Sequence, residues 1–244
     1  LNQLKTLEPS NTAIDKKLAE IYYLKNDFSK AADAYSRFAM GPKANEEDLV
    51  RYAFALFLNH DFAKSLEVAN MGLKKNPRHA AFNRLAMYNN TDLKRFEEAL
   101  KAADVFFNEC DKADYSYLDY MYYGHLLEEL KKYDEAVGQY EKAVELDPTK
   151  TDLYKNISSV YEQKNDYKKA IGAYHKYYSS LEKEKQTPDL QFQLGRLYYG
   201  AGTQPDSLTI NVEERKQALM SADSVFQVIS EAAPDSYLGN FWRA

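Results

Sequence analysis

Between Tyr133 and Pro148 the chain reads Tyr133-Asp-Glu-Ala136-Val-Gly-Gln-Tyr140-Glu-Lys-Ala143-Val-Glu-Leu-Asp-Pro148. Tyr133, Ala136, Tyr140 and Ala143 follow one another at three- and four-residue steps, which places them on one stripe of a helix that stops at the proline. Upstream, Tyr123, Gly124 and Leu127 form the matching stripe of a preceding helix. The small Gly124 and Ala136 let the two helices approach closely, and aromatic rings fill the gaps between their turns. The stretch therefore predicts two antiparallel helices joined by a short turn.

The aromatic that opens the second helix is periodic. Phe28, Phe62, Phe96, Tyr133 and Tyr167 are spaced by 34, 34, 37 and 34 residues, and a small residue stands three places after each: Ala31, Ser65, Ala99, Ala136 and Ala170. A fixed period in this range means stacked helix pairs whose core is shared between neighbours. The 244 residues are therefore read as one array.

Composition agrees with an all-α, folded chain. It is 45% apolar and 28% charged, with only 9 glycines and 7 prolines. The net charge of −5, with Lys and Arg scattered, argues against nucleic acid as a partner. The longest apolar stretch, Tyr52 to Leu58, is far too short to span a membrane. A single cysteine, Cys110, excludes an intramolecular disulfide and a multi-cysteine metal site.

On these residues the chain resembles the tetratricopeptide repeat family. The resemblance implies a right-handed superhelical solenoid of antiparallel helix pairs, called A and B, with about six repeats and partial repeats at both ends. The expected boundaries are 1–11 for the tail of a preceding helix B, then 12–45, 46–79, 80–113, 114–150, 151–186 and 187–236, with 237–244 opening a further helix A. The third repeat is expected to carry one extra residue near Asn89-Asn90-Thr91, and about three more are expected near Glu109 to Tyr115. The sixth opens with Thr187-Pro188, a capping residue followed by proline at the first helical position. Its second helix is expected only after a loop over 200–211, in which Gly200-Ala-Gly202 reads as a turn. Pro234 is expected to close the last helix B, and Asp235 or Ser236 to cap the next helix A. Phe241 and Trp242 are then expected to be exposed at the cut end or paired with a neighbouring molecule, giving a route to self-association. The chain opens within a repeat without a charged-then-apolar leader, so the compartment stays open between cytoplasm and export.

Most of the 21 tyrosines fall where the repeat needs a large packing residue. The four histidines, His60, His79, His125 and His175, lie in different repeats with no metal-ligand spacing, and no metal or cofactor is expected. Only His125 falls on a binding face; the others read as surface or turn residues. Cys110 has no activating base in a local motif and reads as a structural or surface thiol.

In the family the A helices line a concave groove. The resemblance places there Lys16, Glu20 and Tyr23; Val50, Phe54 and Phe57; Asn83, Met87 and Asn90; Met121, His125 and Glu128; Lys155, Ser159 and Glu162; and Phe192, Arg196 and Tyr199. The Lys and Asn pair with which some members clamp a partner's terminal carboxylate is missing, because Lys16 is followed one turn later by Glu20 and Lys155 by Ser159. What remains is a mixed face with an apolar cluster from Val50, Phe54, Phe57 and Met87. The reading is a non-catalytic scaffold that binds a protein or peptide, with Phe54, Phe57 and Met87 as anchors and Lys16, Asn83, His125 and Arg196 for orientation. Two alternatives stand beside it: a structural segment of a larger assembly, and a helical-hairpin glycosidase built on acids such as Glu20, Glu128 and Glu162.

Overall fold

The computed structural model describes residues 1–110, 115–204 and 211–232. The chain divides into two compact units, Leu1–Tyr115 and Ser116–Ala244. The first holds α1 (Asn2–Leu7), α2 (Thr12–Leu24), α3 (Phe28–Ala39), α4 (Glu46–Leu58), α5 (Phe62–Lys75), α6 (Ala80–Asp92) and α7 (Phe96–Asp104), which runs into a π-helical turn over Val105–Glu109. The second holds α8 (Tyr117–Glu129), α9 (Tyr133–Leu146), α10 (Leu153–Gln163), α11 (Tyr167–Ser180), α12 (Pro188–Thr203) and α13 (Val212–Ala232). Within each unit successive helices pack together, giving three A/B hairpins: α2/α3, α4/α5 and α6/α7, then α8/α9, α10/α11 and α12/α13. Among the described residues every regular element is helical.

Five of the six A helices end in one way. Asn26, His60, Lys94, Lys131 and Asn165 have φ between 57° and 61°, and each stands two residues before its aromatic anchor. The amide after each donates back to the residue five places earlier, from Asp27 to Tyr22, Asp61 to Leu56, Arg95 to Asn90, Lys132 to Leu127 and Asp166 to Tyr161. This left-handed closing turn satisfies the last carbonyls of the A helix without glycine. In three hairpins the next residue also starts helix B, since Asp27, Asp61 and Asp166 accept from the amides of Lys30, Lys64 and Lys169.

The hairpins are held together by matched sizes. A Cβ on Gly124 of α8 would stand 2.9 Å from the ring of Tyr140 on α9, and one on Gly195 of α12 would stand 2.5 Å from Phe226 on α13. The corresponding A-helix positions are Ala19, Ala53, Met87 and Ser158, and the corresponding B-helix positions are Tyr35, Ala69, Ala103 and Tyr174. In the third hairpin the sizes are exchanged, with a fully buried Met87 on the A helix and a fully buried Ala103 on the B helix.

That exchange corrects the expected extra residue near Asn89-Asn90-Thr91. α4 spans Glu46–Leu58 and α6 spans Ala80–Asp92, so both ends move by one 34-residue period and nothing is inserted. Ala86 had the size expected at the small position, but that position belongs to Met87. The turn expected at Gly200-Ala-Gly202 is also corrected, because α12 continues to Thr203. These glycines serve packing: a Cβ on Gly200 would lie 2.4 Å from the Tyr167 ring, and one on Gly202 would lie 2.4 Å from Leu219 Cγ. Residues 205–210 of the expected loop lie outside the described residues. So do 111–114, Pro234, Asp235, Ser236, Phe241 and Trp242, and with them the expected opening of a further helix A.

One buried charge ties α1 to the first hairpin. Asp15 has no exposure and receives Lys5 Nζ at 2.5 Å and Arg37 Nε at 2.8 Å. Burial alone would raise its carboxyl, but the hydrogen bonds from Lys5 and Arg37 outweigh it and hold the group below the usual carboxylate range.

Two outcomes are expected. Gly195→Ala destabilises by about 1–3 kcal/mol through the forced overlap, whereas Gly138→Ala, where a Cβ meets nothing within 4 Å, stabilises by about 0.5–1 kcal/mol; urea unfolding midpoints separate the two. Because Asp15 is more acidic folded than unfolded, its contribution is complete above the ordinary carboxylate pKa and is lost as pH falls through the depressed value. Asp15→Asn should therefore cost about 2 kcal/mol at neutral pH, and the gap to the natural chain should close in acid, as followed by thermal melts across that range.

Candidate functional site

In each unit a cleft opens on the A-helix face, and the two are built from equivalent repeat positions. In the first unit a cleft of about 400 Å³ opens between α2 and α4, lined by Glu20, Tyr23, Leu24, Arg51 and Phe54, with Tyr35 of α3 beneath. Tyr23 and Leu24 come from the last turn of α2, just before the left-handed residue Asn26 stops that helix and leaves Leu24 82% exposed. Tyr23 is fixed edge-on against Phe28, 5.5 Å between ring centres. Arg51 reaches Glu47 at 2.6 Å and Glu20 at 3.8 Å, and its positive charge favours the ionised form of Tyr35. Burial raises the hydroxyl pKa of Tyr35, and that of Tyr23 likewise, so both stay neutral hydrogen-bonding groups at physiological pH.

The second unit presents the same place with different chemistry. A cleft of about 300 Å³ between α10 and α12 is lined by Lys155, Ser159, Glu162, Gln193 and Arg196, with Tyr174 of α11 beneath. Arg196 Nη2 donates to both oxygens of Glu162, at 2.8 and 3.0 Å, and its Nε approaches Gln193 at 3.2 Å. Lys155 and Ser159 are exposed at the edge. An aromatic cleft and an ionic cleft thus occupy the same repeat positions.

The expected groove residues divide accordingly. Glu20, Tyr23 and Phe54 share the first cleft, and Lys155, Ser159, Glu162 and Arg196 share the second. Lys16 instead bridges to the buried Asp48 at 2.7 Å, over the ring of Phe38. Val50 packs on the core, while Phe57 lies 5.7 Å from Phe62 and 5.5 Å from Tyr88. Glu128 accepts from Tyr140 at 2.9 Å and Gln163 at 2.6 Å, and burial together with this carboxylate raises the Tyr140 hydroxyl. Met121 packs against the core of its unit, Phe192 lies against Phe226, and His125 and Tyr199 are exposed.

Asn83, Met87 and Asn90 are corrected. With no insertion in the third repeat, the equivalents of Val50, Phe54 and Phe57 one period later are Arg84, Tyr88 and Thr91. Met87 is fully buried and Asn83 is 4% exposed, so neither can anchor a partner. Two histidines are less superficial than expected: the His79 ring lies tilted against Phe82, 4.5 Å between ring centres, and His175, whose pKa burial lowers, lies 2.7 Å from the Tyr198 hydroxyl. Cys110 is half-buried near Asn83. Among the described residues no group of three or more His, Cys, Asp or Glu could hold a metal ion. Arg51 and Leu24 are site residues that the groove positions alone missed; an arginine one period before Leu85 and a leucine beside the turn carry no repeat signature.

The helix hairpins are tetratricopeptide repeats in fold, and residues 117–150 match the tetratricopeptide repeat family model in sequence as well. Among solved structures, the C-terminal part of a TPR repeat-containing protein from Cytophaga hutchinsonii superposes with a TM-score of 0.61 at 26% identity, over 80% of this chain and 68% of that one. PilW, described as a widely conserved type IV pilus biogenesis factor, gives a TM-score of 0.67 at 15% identity over 96% and 98%. MamA from Desulfovibrio magneticus RS-1 gives 0.61 at 18% over 72% and 97%. The last two show likeness of fold alone. No curated protein is significantly similar in sequence. No described helix is long and apolar enough to cross a membrane.

The half-exposed Glu162–Arg196 pair is expected to couple weakly. A double-mutant cycle with Glu162→Ala and Arg196→Ala, read by urea unfolding, should give about 0.5–1 kcal/mol, falling as salt is raised.

Proposed function

We propose that this chain is a non-catalytic scaffold that holds a peptide segment of a protein partner on its A-helix faces, with the aromatic cleft of the first unit as the main anchor. The observation that carries this reading is Leu24, a large aliphatic side chain 82% exposed at the mouth of a cleft walled by Tyr23 and Phe54. An exposed leucine beside rigid rings gains when a partner side chain covers it. Burying one large apolar residue there is worth about 1.5–3 kcal/mol. Arg51 and Glu20 at the rim present a donor and an acceptor to a peptide main chain, which would orient it without demanding a charge.

Binding is favoured over catalysis by the state of the acids. Glu20 is engaged by Lys17 and Arg51, Glu128 by Tyr140 and Gln163, and Glu162 by Arg196. A glycosidase needs two facing carboxyls about 5–10 Å apart with one held protonated. These three come from separate repeats and each serves a local contact.

A display library of short peptides selected against the chain tests the proposal. The selected peptides should share one large apolar residue, and Tyr23→Ala with Phe54→Ala should weaken the best of them at least tenfold, about 1.4 kcal/mol, while circular dichroism stays unchanged. Equal affinity of the double variant would remove the cleft from the binding surface.

A further inference from the structure

Twice in the array a lysine of helix B covers a tyrosine of helix A, and a third such tyrosine meets a serine instead. The A-helix position is held in turn by Tyr22, Leu56, Asn90, Leu127, Tyr161 and Tyr198, so three repeats carry the ring. In the first repeat Lys30 of α3 stands over Tyr22, 5.6 Å from the ring centre, and in the fifth Lys169 of α11 stands over Tyr161 at 5.2 Å. Each lysine also meets the aspartate that opens its helix, Lys30 with Asp27 at 2.6 Å and Lys169 with Asp166 at 3.4 Å. A ring below and a carboxylate beside together hold the ammonium. In the sixth repeat the position that matches Lys30 and Lys169 is Ser221. Tyr198 keeps the ring without the lysine.

At that place a crevice of about 220 Å³ opens between α11 and α13, lined by Ile171, Tyr198, Ala201, Ala218 and Ser221. The ring is fixed in it, because the Tyr198 hydroxyl lies 2.7 Å from Nε2 of His175. Burial holds this imidazole below its usual range, so at neutral pH His175 brings no positive charge to the ring. The aspartate that opens helix B in the first and fifth repeats is matched here by Ala218, but Glu214, one turn earlier on α13, brings a carboxylate to the same crevice. Lys168 lines the crevice too, yet its side chain is 68% exposed and turned to Glu214 at 3.1 Å, which places it at the rim. The aliphatic surface of Ile171, Ala201 and Ala218 suits the methylene stem of a lysine whose charged head lies over the ring.

We infer that this crevice receives a lysine side chain of a protein partner, its ammonium over the Tyr198 ring beside Glu214 and its stem on Ile171, Ala201 and Ala218. The lysine that the first and fifth repeats supply from their own B helix is supplied here from outside. The site shares no residue with the two A-helix clefts and does not depend on the peptide reading of them. Amide chemical shifts of the full, isotope-labelled chain, titrated with Nα-acetyl-lysine methylamide, test it. Saturable shifts are expected at Gln217, Ala218 and Ser221, and the norleucine counterpart, which lacks the charge, should bind at least about fivefold more weakly. Tyr198→Leu should abolish the shifts. So should Ser221→Lys, which gives the sixth repeat the lysine of the first and fifth and fills the crevice from within. Absence of saturable shifts, equal binding of the norleucine compound, or binding undisturbed in Ser221→Lys would overturn the inference. Should Tyr198→Leu fail to fold, Ser221→Lys decides, since Lys30 and Lys169 show that the repeat accommodates lysine at this position.

Discussion

Each hairpin depends on what one A-helix residue leaves room for on its B helix. In three hairpins the A residue is glycine or alanine and a ring of the B helix enters, Tyr140 against Gly124, Phe226 against Gly195 and Tyr35 opposite Ala19, whereas the second hairpin sets Ala53 opposite Ala69. Tyr35, Tyr140 and Phe226 are each at most 1% exposed, so this contact is the centre of the hairpin. It sets how near the helix axes come, and neighbouring contacts must follow. The third hairpin reaches the same end with the sizes reversed, Met87 filling the space that a ring would take. There the large side chain has changed helix while the contact stays filled.

Repeats are joined to each other by a different means. Partners about one period apart meet across the A-helix face: Lys16 with Asp48, Phe57 with Tyr88, Glu128 with Gln163, Glu162 with Arg196. Lys164 reaches Asp134 in the same manner from the preceding helix B. These contacts are individually small, because exposed ion pairs contribute at most about 1 kcal/mol. Their effect is on register, since a pair made one period on cannot be made if the next hairpin slips. The face that could bind a partner is therefore largely occupied with holding neighbouring repeats, and in the first unit it leaves apolar surface uncovered at Leu24.

The helices and their pairing were legible in the sequence because aromatic anchors and small residues recur at a fixed distance, and one period fixes every boundary. The register of the third repeat was not. Leu85-Ala86 imitates a large-then-small pair, and nothing local reveals that Met87 takes the small position, because the compensation lies at Ala103, sixteen residues away on the other helix. Gly200 and Gly202 misled for a related reason: a glycine that admits a ring and one that permits a turn read alike until the partner is placed, and Tyr167 is 33 residues from Gly200. The left-handed turn escaped notice because His60, Lys94 and Lys131 occupy a conformation usually signalled by glycine or asparagine. Of the candidate site, the residues that depend only on the period fall into clefts, Glu20, Tyr23 and Phe54 in the first unit and Glu162 and Arg196 in the second, and those of the misregistered repeat join neither.

The third repeat shows how far one unit of an array can depart from the others. Ala86 and Asn90 forgo the burial of two large side chains, each worth about 1.5–3 kcal/mol. A free-standing helix hairpin could not absorb that loss. Here α6 is buried along nearly its whole length, with Phe82, Leu85, Met87 and Tyr88 each at most 2% exposed, so its other contacts offset what Ala86 and Asn90 give up. α6 also packs against α4 and α5 of the preceding repeat, contacts that a lone hairpin lacks. A departure from the repeat pattern can therefore be borne where a preceding hairpin shares the core, because the contacts that are kept lie on a different face from those given up.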